Sequence, residues 1–149
     1  MALSSNALCA KAKAMYGYRI GEEGYSDLCR KQSLSEMVTY LKSQTKYSGV
    51  LEDINVRNVH RRQVEAALNK EYFERCARLM KYAPKKNQDF YSQEVIGIEV
   101  QLIVDKVVSI KEKDQASFSL EIPDYLASKM SFNIYGLINV DNYKDLVTY

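Results

Sequence analysis

At 149 residues the chain suits one domain, or one and a fraction, and can bury a sizeable core. Its 27% charged and 46% apolar residues describe an ordinary globular protein, and a net charge of +2 is too small for the basic stripe that a nucleic acid requires. Cys9, Cys29 and Cys76 are widely spaced and form no C-x-x-C pair, which argues against a disulfide framework or a zinc site and for a reducing compartment.

The first predicted element is an alanine-rich helix over residues 5–19, capped by Ser4 or Ser5, with Leu8, Ala12, Met15 and Tyr16 on one face. Met1 leads straight into it with no apolar run of signal-peptide length, so the chain is expected to be neither secreted nor anchored. Gly21 stops this helix. Glu22 and Glu23 then suit the positive end of a short second one carrying Tyr25 and Leu28. Ser33 and Glu36 form a capping-box pattern ahead of Met37, Val38 and Leu41, predicting a helix that ends near Ser43. Thr45 to Gly49 reads as a turn.

A long helix is predicted from about Asn58 to Tyr82, where Val64, Leu68, Tyr72, Cys76, Leu79 and Met80 recur at spacings of four and three. Glu71 with Arg75 and Glu74 with Arg78 line its charged face. Pro84 ends it and Lys85, Lys86 and Asn87 turn the chain into a second long helix, Asp89 to Glu112, packed antiparallel to the first. There Ile96, Val100, Ile103, Val107 and Ile110 set the expected core stripe, widened by Val95, Ile98 and Leu102. The β-branched residues raise a strand alternative, but the pattern persists over about twenty residues and strands average five or six. Glu99, Asp105 and Lys106 interrupt any membrane-spanning reading. After a polar link over residues 114–119, Pro123 opens a short helix from Asp124 to Met130.

The closing stretch repeats an earlier one. Leu28 to Tyr40 and Leu137 to Tyr149 align without a gap, sharing the leading Leu and the final Val-Thr-Tyr. Asn142 stands where Ser33 caps, and Asp145 where Glu36 lies. The pattern predicts a duplicated helical unit, divided as residues 1–113 and 114–149. Because the second copy stops at Tyr149, the chain is expected to end inside a helix, with Leu146 and Tyr149 short of packing partners.

No residue group forms a catalytic, cofactor or metal motif. His60 lies among Arg57, Arg61 and Arg62 and reads as a solvated surface residue at a basic helix start. There is neither a G-x-G-x-x-G nor a P-loop. Glu99, inside an apolar face, is expected at the stripe's margin or beside a basic partner rather than as a proton carrier.

Taken together, these residues resemble the V-type ATPase subunit called C in bacterial and archaeal complexes and d in eukaryotes. The likeness runs through Asn6 to Met15, Leu28, Ser33 to Glu36, Tyr40-Leu41, Thr45 to Gly49, Val64 to Leu68 with Tyr72, and Ile98 to Leu102. Lys11 and Lys13 stand where that family often carries arginine. The resemblance implies an all-α protein, part of a pseudo-threefold funnel of three similar units in a considerably longer subunit. It also implies a non-catalytic rotor part, without cofactor or metal, that couples the central stalk to the membrane proteolipid ring. Such a part is cytoplasmic and meets the membrane only through its complex. The rival from the residues alone is a stand-alone helical adaptor, with an enzyme a distant third.

Overall fold

A computed structural model describes residues 2–84, 88–113, 118 and 120–149. Seven α-helices and two 3-10 helices occur among them, and no strand, so the fold is all-α. In particular, the β-branched run that raised the strand alternative is helix throughout. The turn expected at Lys85 to Asn87 lies outside the described residues, as does nearly all of the polar link. The chain divides into two compact units, residues 1–75 and 76–149. The antiparallel pairing expected of the long helices turns on those undescribed residues.

The first unit opens with α1, Ala2–Tyr16, which has already begun where Ser4 or Ser5 was expected to cap it. α2, Glu22–Cys29, starts from an extended Gly21 with no side-chain cap, and its acidic first turn faces the helix dipole favourably. α3, Leu34–Gln44, follows the capping logic: Glu36 N–H donates to Ser33 Oγ at 3.2 Å. The return bond lands one residue early, from Gln32 N–H to Glu36 Oε2 at 3.0 Å. With its start fixed in this way, α3 presents Val38, fully buried, and Leu41 to a core completed by Leu51 and Val64. Lys42 holds the following loop in place, its Nζ donating to the carbonyls of Glu52 at 3.1 Å and Ile54 at 2.8 Å.

α4, Arg61–Tyr82, begins three residues later than expected because Val56–Asn58 form a 3-10 turn capped by Asn55. Its stripe is also displaced. Val64 and Met80 are buried as expected, but Tyr72 is exposed and the row is completed by Phe73 and Ala77. Apolar side chains occupy two adjacent rows here, and the row that exposes the tyrosine hydroxyl prevails.

In the second unit α5, Gln88–Glu112, closes with Lys113 in the left-handed region at φ 54° and its N–H on the Ile110 carbonyl. The face it buries is not the expected one. Val95, Ile98, Glu99, Leu102, Lys106 and Ser109 are buried, whereas Ile96, Val100, Ile103 and Val107 are at least a third exposed. The buried row packs in a core with Ile122, Leu126, Ile134, Leu137 and Val140. α6, Asp124–Ala127, is capped by Pro123, whose carbonyl takes both the Leu126 and Ala127 amides. A 3-10 helix, Ile134–Asn139, and α7, Tyr143–Thr148, complete the unit. Asn142 caps α7 as Ser33 caps α3, accepting from Asp145 N–H at 2.9 Å and donating to Asp145 Oδ2 at 2.7 Å. Tyr149 does find partners: its hydroxyl donates to the Asn133 carbonyl and its ring meets Phe132 edge-on at 6.0 Å.

Candidate interaction surfaces

Two faces of α5 carry the chemistry of the second unit. On the inner one, Glu99 is 6% and Lys106 1% exposed. Ser131 N–H donates to Glu99 Oε1, so the carboxylate meets a backbone amide rather than the expected basic partner. Lys106 Nζ donates to the Ile138 carbonyl at 3.2 Å and lies 4.9 Å from the centre of the Phe118 ring. Burial pushes the Lys106 ammonium below its ordinary pKa, and the nearby charge of Asp141 opposes that shift. Both charges are therefore used to hold backbone, which explains why a face bearing them is the one turned inward. A 3-10 helix satisfies few of its end groups itself, and Ser131 N–H and Ile138 C=O flank or close one.

On the outer face, Ile96, Val100, Ile103 and Val107 follow a four-three-four spacing, with Val104 and Val108 beside them. Exposure runs from 36% at Ile103 and Val107 to 56% at Ile96. Glu94, Gln101, Asp105 and Glu112 share a separate row well round the helix from this seam, and Lys111, four residues after Val107, stands at the seam's edge. Gln101 Nε2 donates to Asp105 Oδ1 at 2.8 Å.

The first unit contains an apolar cavity of about 350 Å³, walled by Ile20, Leu28, Leu41 and Leu68 with Tyr25, Tyr47 and Tyr72. At its edge Arg75 Nε bonds Glu71 Oε1 at 2.6 Å, both side chains about four-fifths buried. Burial works against the Arg75 charge, but Glu71 and the adjacent Tyr47 more than offset this, raising its pKa above the ordinary value. The Tyr47 ring lies 5.3 Å from the guanidinium carbon.

His60 is exposed where the sequence placed it, with its amide held by Gln63 Oε1 at 3.1 Å. Arg57, Arg61 and Arg62 are likewise exposed, and Arg61 pairs with Glu65 at 2.7 Å. Among the described residues no three His, Cys, Asp or Glu side chains group as a metal site, and no helix is long and apolar enough to cross a membrane. Sequence reasoning overlooked Lys106 as a buried group. The available signal was its spacing of seven from Glu99, which places both on one helical row.

These observations define an all-helical protein whose buried charges serve its own backbone and whose longest helix turns an apolar face outward. The family model of the ATP synthase (C/AC39) subunit matches residues 8–149, and the chain belongs to that family. This bears out the resemblance to the V-type ATPase subunit. No curated protein and no solved structure matches the chain.

Proposed function

We propose that the chain serves as a non-catalytic rotor part of a V-type ATPase, linking the central stalk to the proteolipid ring so that torque couples ATP turnover to ion movement. The observation that carries this reading is the family match over residues 8–149. The outward apolar face of α5 supports it, because such a face suits a protein that works by contact. In this reading residues 1–113 form a first helical unit and residues 114–149 open a second, arranged with a further unit about a pseudo-threefold axis. The protein then lies at the cytoplasmic side of the membrane, held there by its complex, and needs neither cofactor nor metal.

The test is retention of purified central-stalk subunits and purified proteolipid ring on the immobilised chain. Retention of either above that on an unrelated helical protein is expected. Loss of both would set this reading aside in favour of a helical adaptor.

A further inference from the structure

We propose that the cavity of the first unit binds an uncharged, mainly apolar small molecule, its body between Leu28, Leu41 and Leu68 and a hydrogen-bonding end toward Arg75. The site goes beyond the rotor reading and does not depend on it. Size, polarity and charge each narrow the occupant.

The cavity holds about 350 Å³, at the small end of the roughly 300–1,000 Å³ usual for small-molecule sites. That is room for one chain or one ring system. It is too little for the row of anchoring side chains by which a docking helix binds.

The walls come from three parts of the first unit. Ile20 and Leu28 belong to α2 and the residues before it, Leu41 and Tyr47 to α3 and the turn after it, and Leu68 and Tyr72 to α4. All six are aliphatic or aromatic, so an apolar body placed among them leaves water and gains contacts from several sides. Tyr25, 59% exposed, marks the open side.

Charge decides against an ion. Among the described residues the charged side chains of the wall are Glu71 and Arg75, and they bond each other at 2.6 Å. The neighbouring Lys46 is engaged as well, its Nζ donating to the Gly17 carbonyl at 3.3 Å and lying 4.6 Å from the centre of the Tyr18 ring. A charged ligand would give up its water without meeting an unmatched opposite charge, which a neutral one avoids. A hydroxyl or amide end can still accept from Arg75, because a guanidinium carries five N–H donors.

The test uses the wild-type chain, methyl-labelled at isoleucine and leucine, titrated with 1-hexanol, 1-heptanol and 1-octanol. NMR shifts should saturate at Ile20, Leu28, Leu41 and Leu68 and leave Leu126 and Leu137 of the second unit in place. Hexanol should bind with a dissociation constant of about 1 mM, and each added methylene should tighten binding about fourfold until the cavity is full. Hexanoate and hexylammonium should bind at least about tenfold more weakly than hexanol. Leu68→Phe, which puts ring carbons into the space, should weaken octanol binding by about tenfold or more, with Val147→Ser as the unaffected control.

Shifts spread equally over both units overturn the site, as does an affinity that does not change with chain length. Either ion binding as tightly as hexanol overturns it too. If Leu68→Phe fails to fold, the methyl shifts of the wild type decide alone. Saturation of the same methyl shifts by purified central-stalk subunits, with no alcohol present, would assign the cavity to a protein side chain and also overturn the proposal.

Discussion

Glu99 and Lys106 stand seven residues apart on α5 and hold two backbone groups that are also seven residues apart, Ser131 N–H and Ile138 C=O. Their common row is thereby pinned to the returning chain. A helix with apolar residues around most of its circumference has no single face dictated by hydrophobicity. Here the backbone groups that need partners decide which side turns in.

The consequence for stability is a reversal of the order that periodicity suggests. Ile98→Asp buries an unpaired charge at a position 2% exposed and should cost several kcal/mol, enough to unfold the second unit. Ile103→Asp, at 36% exposure, should cost no more than about 1–2 kcal/mol. Urea denaturation of the two variants measures the difference. Equal midpoints would mean that Ile103 is as deeply packed as Ile98.

Lys106 supplies a pH test. Its folded pKa lies below the ordinary 10.5, so between the lowered value and 10.5 the unfolded chain binds more protons than the folded one. Lys106 therefore adds stability as pH rises through that window, an increment complete above 10.5 and lost as pH falls through the folded pKa. Lys106→Met abolishes this increment. Near neutral pH the variant should fall within about 1–2 kcal/mol of wild type, because removing a buried ion offsets leaving the Ile138 carbonyl unpaired. Stability of both proteins measured from pH 7 to 10.5 should show wild type gaining on the variant. Parallel curves would remove the titration argument.

Much of this fold is legible in the sequence because its signals are local. Ser33 with Glu36 and Asn142 with Asp145 specify helix starts through bonds spanning three residues, and both form as read. The length of α5 follows from an unbroken run of helix-compatible residues. What escaped depends on partners distant in sequence. Nothing near Ile103 says that Ser131 will claim Glu99, and nothing near Tyr72 says that Phe73 will pack instead. The outward row Ile96, Val100, Ile103 and Val107 was read as core for the same reason: its spacing looks the same whether or not another element of the chain covers it.

The two caps should differ in consequence. Loss of either side-chain acceptor costs about 1 kcal/mol, within a range of about 0.5–2. α3 carries Val38 and Leu41 into the core, so Ser33→Ala should lower the unfolding midpoint of the first unit. α7 carries no fully buried residue, and Val147, the counterpart of Val38, is 86% exposed. Asn142→Ala should therefore fray α7 while scarcely moving the global transition. Hydrogen exchange by mass spectrometry distinguishes the outcomes, with α7 amides exchanging faster and the Val95 to Leu102 amides unchanged.

Tyr40 and Tyr149 end the two repeats. Each turns its hydroxyl toward a glycine in the helical element before its own. A Cβ at Gly136 would overlap the Tyr149 hydroxyl and crowd the ring carbon that bears it, whereas one at Gly24 would lie 3.4 Å from the Tyr40 hydroxyl, an ordinary contact. Gly24 is crowded instead by the Ile20 Cγ2 methyl at 2.6 Å, which sits on a β-branched carbon and moves only if a side chain packed against the core turns about χ1. Gly24→Ala gains about 0.5–1 kcal/mol of helix propensity within α2, which offsets part of that clash, so it should destabilise mildly. Gly136→Ala meets the Tyr149 side chain itself and has no such offset while Tyr149 keeps its place. It should expel the ring, losing the hydrogen bond to Asn133 and the edge contact with Phe132, at about 1–2 kcal/mol. Tyr149→Phe, which keeps the ring and removes only the hydroxyl, should cost about 0.5–1.5 kcal/mol. Chemical denaturation of the three variants, with the Phe132 ring followed by NMR, tests the ordering. A Gly136→Ala protein as stable as wild type, with an unshifted Phe132 ring, would show that Tyr149 contributes nothing to closing the second unit.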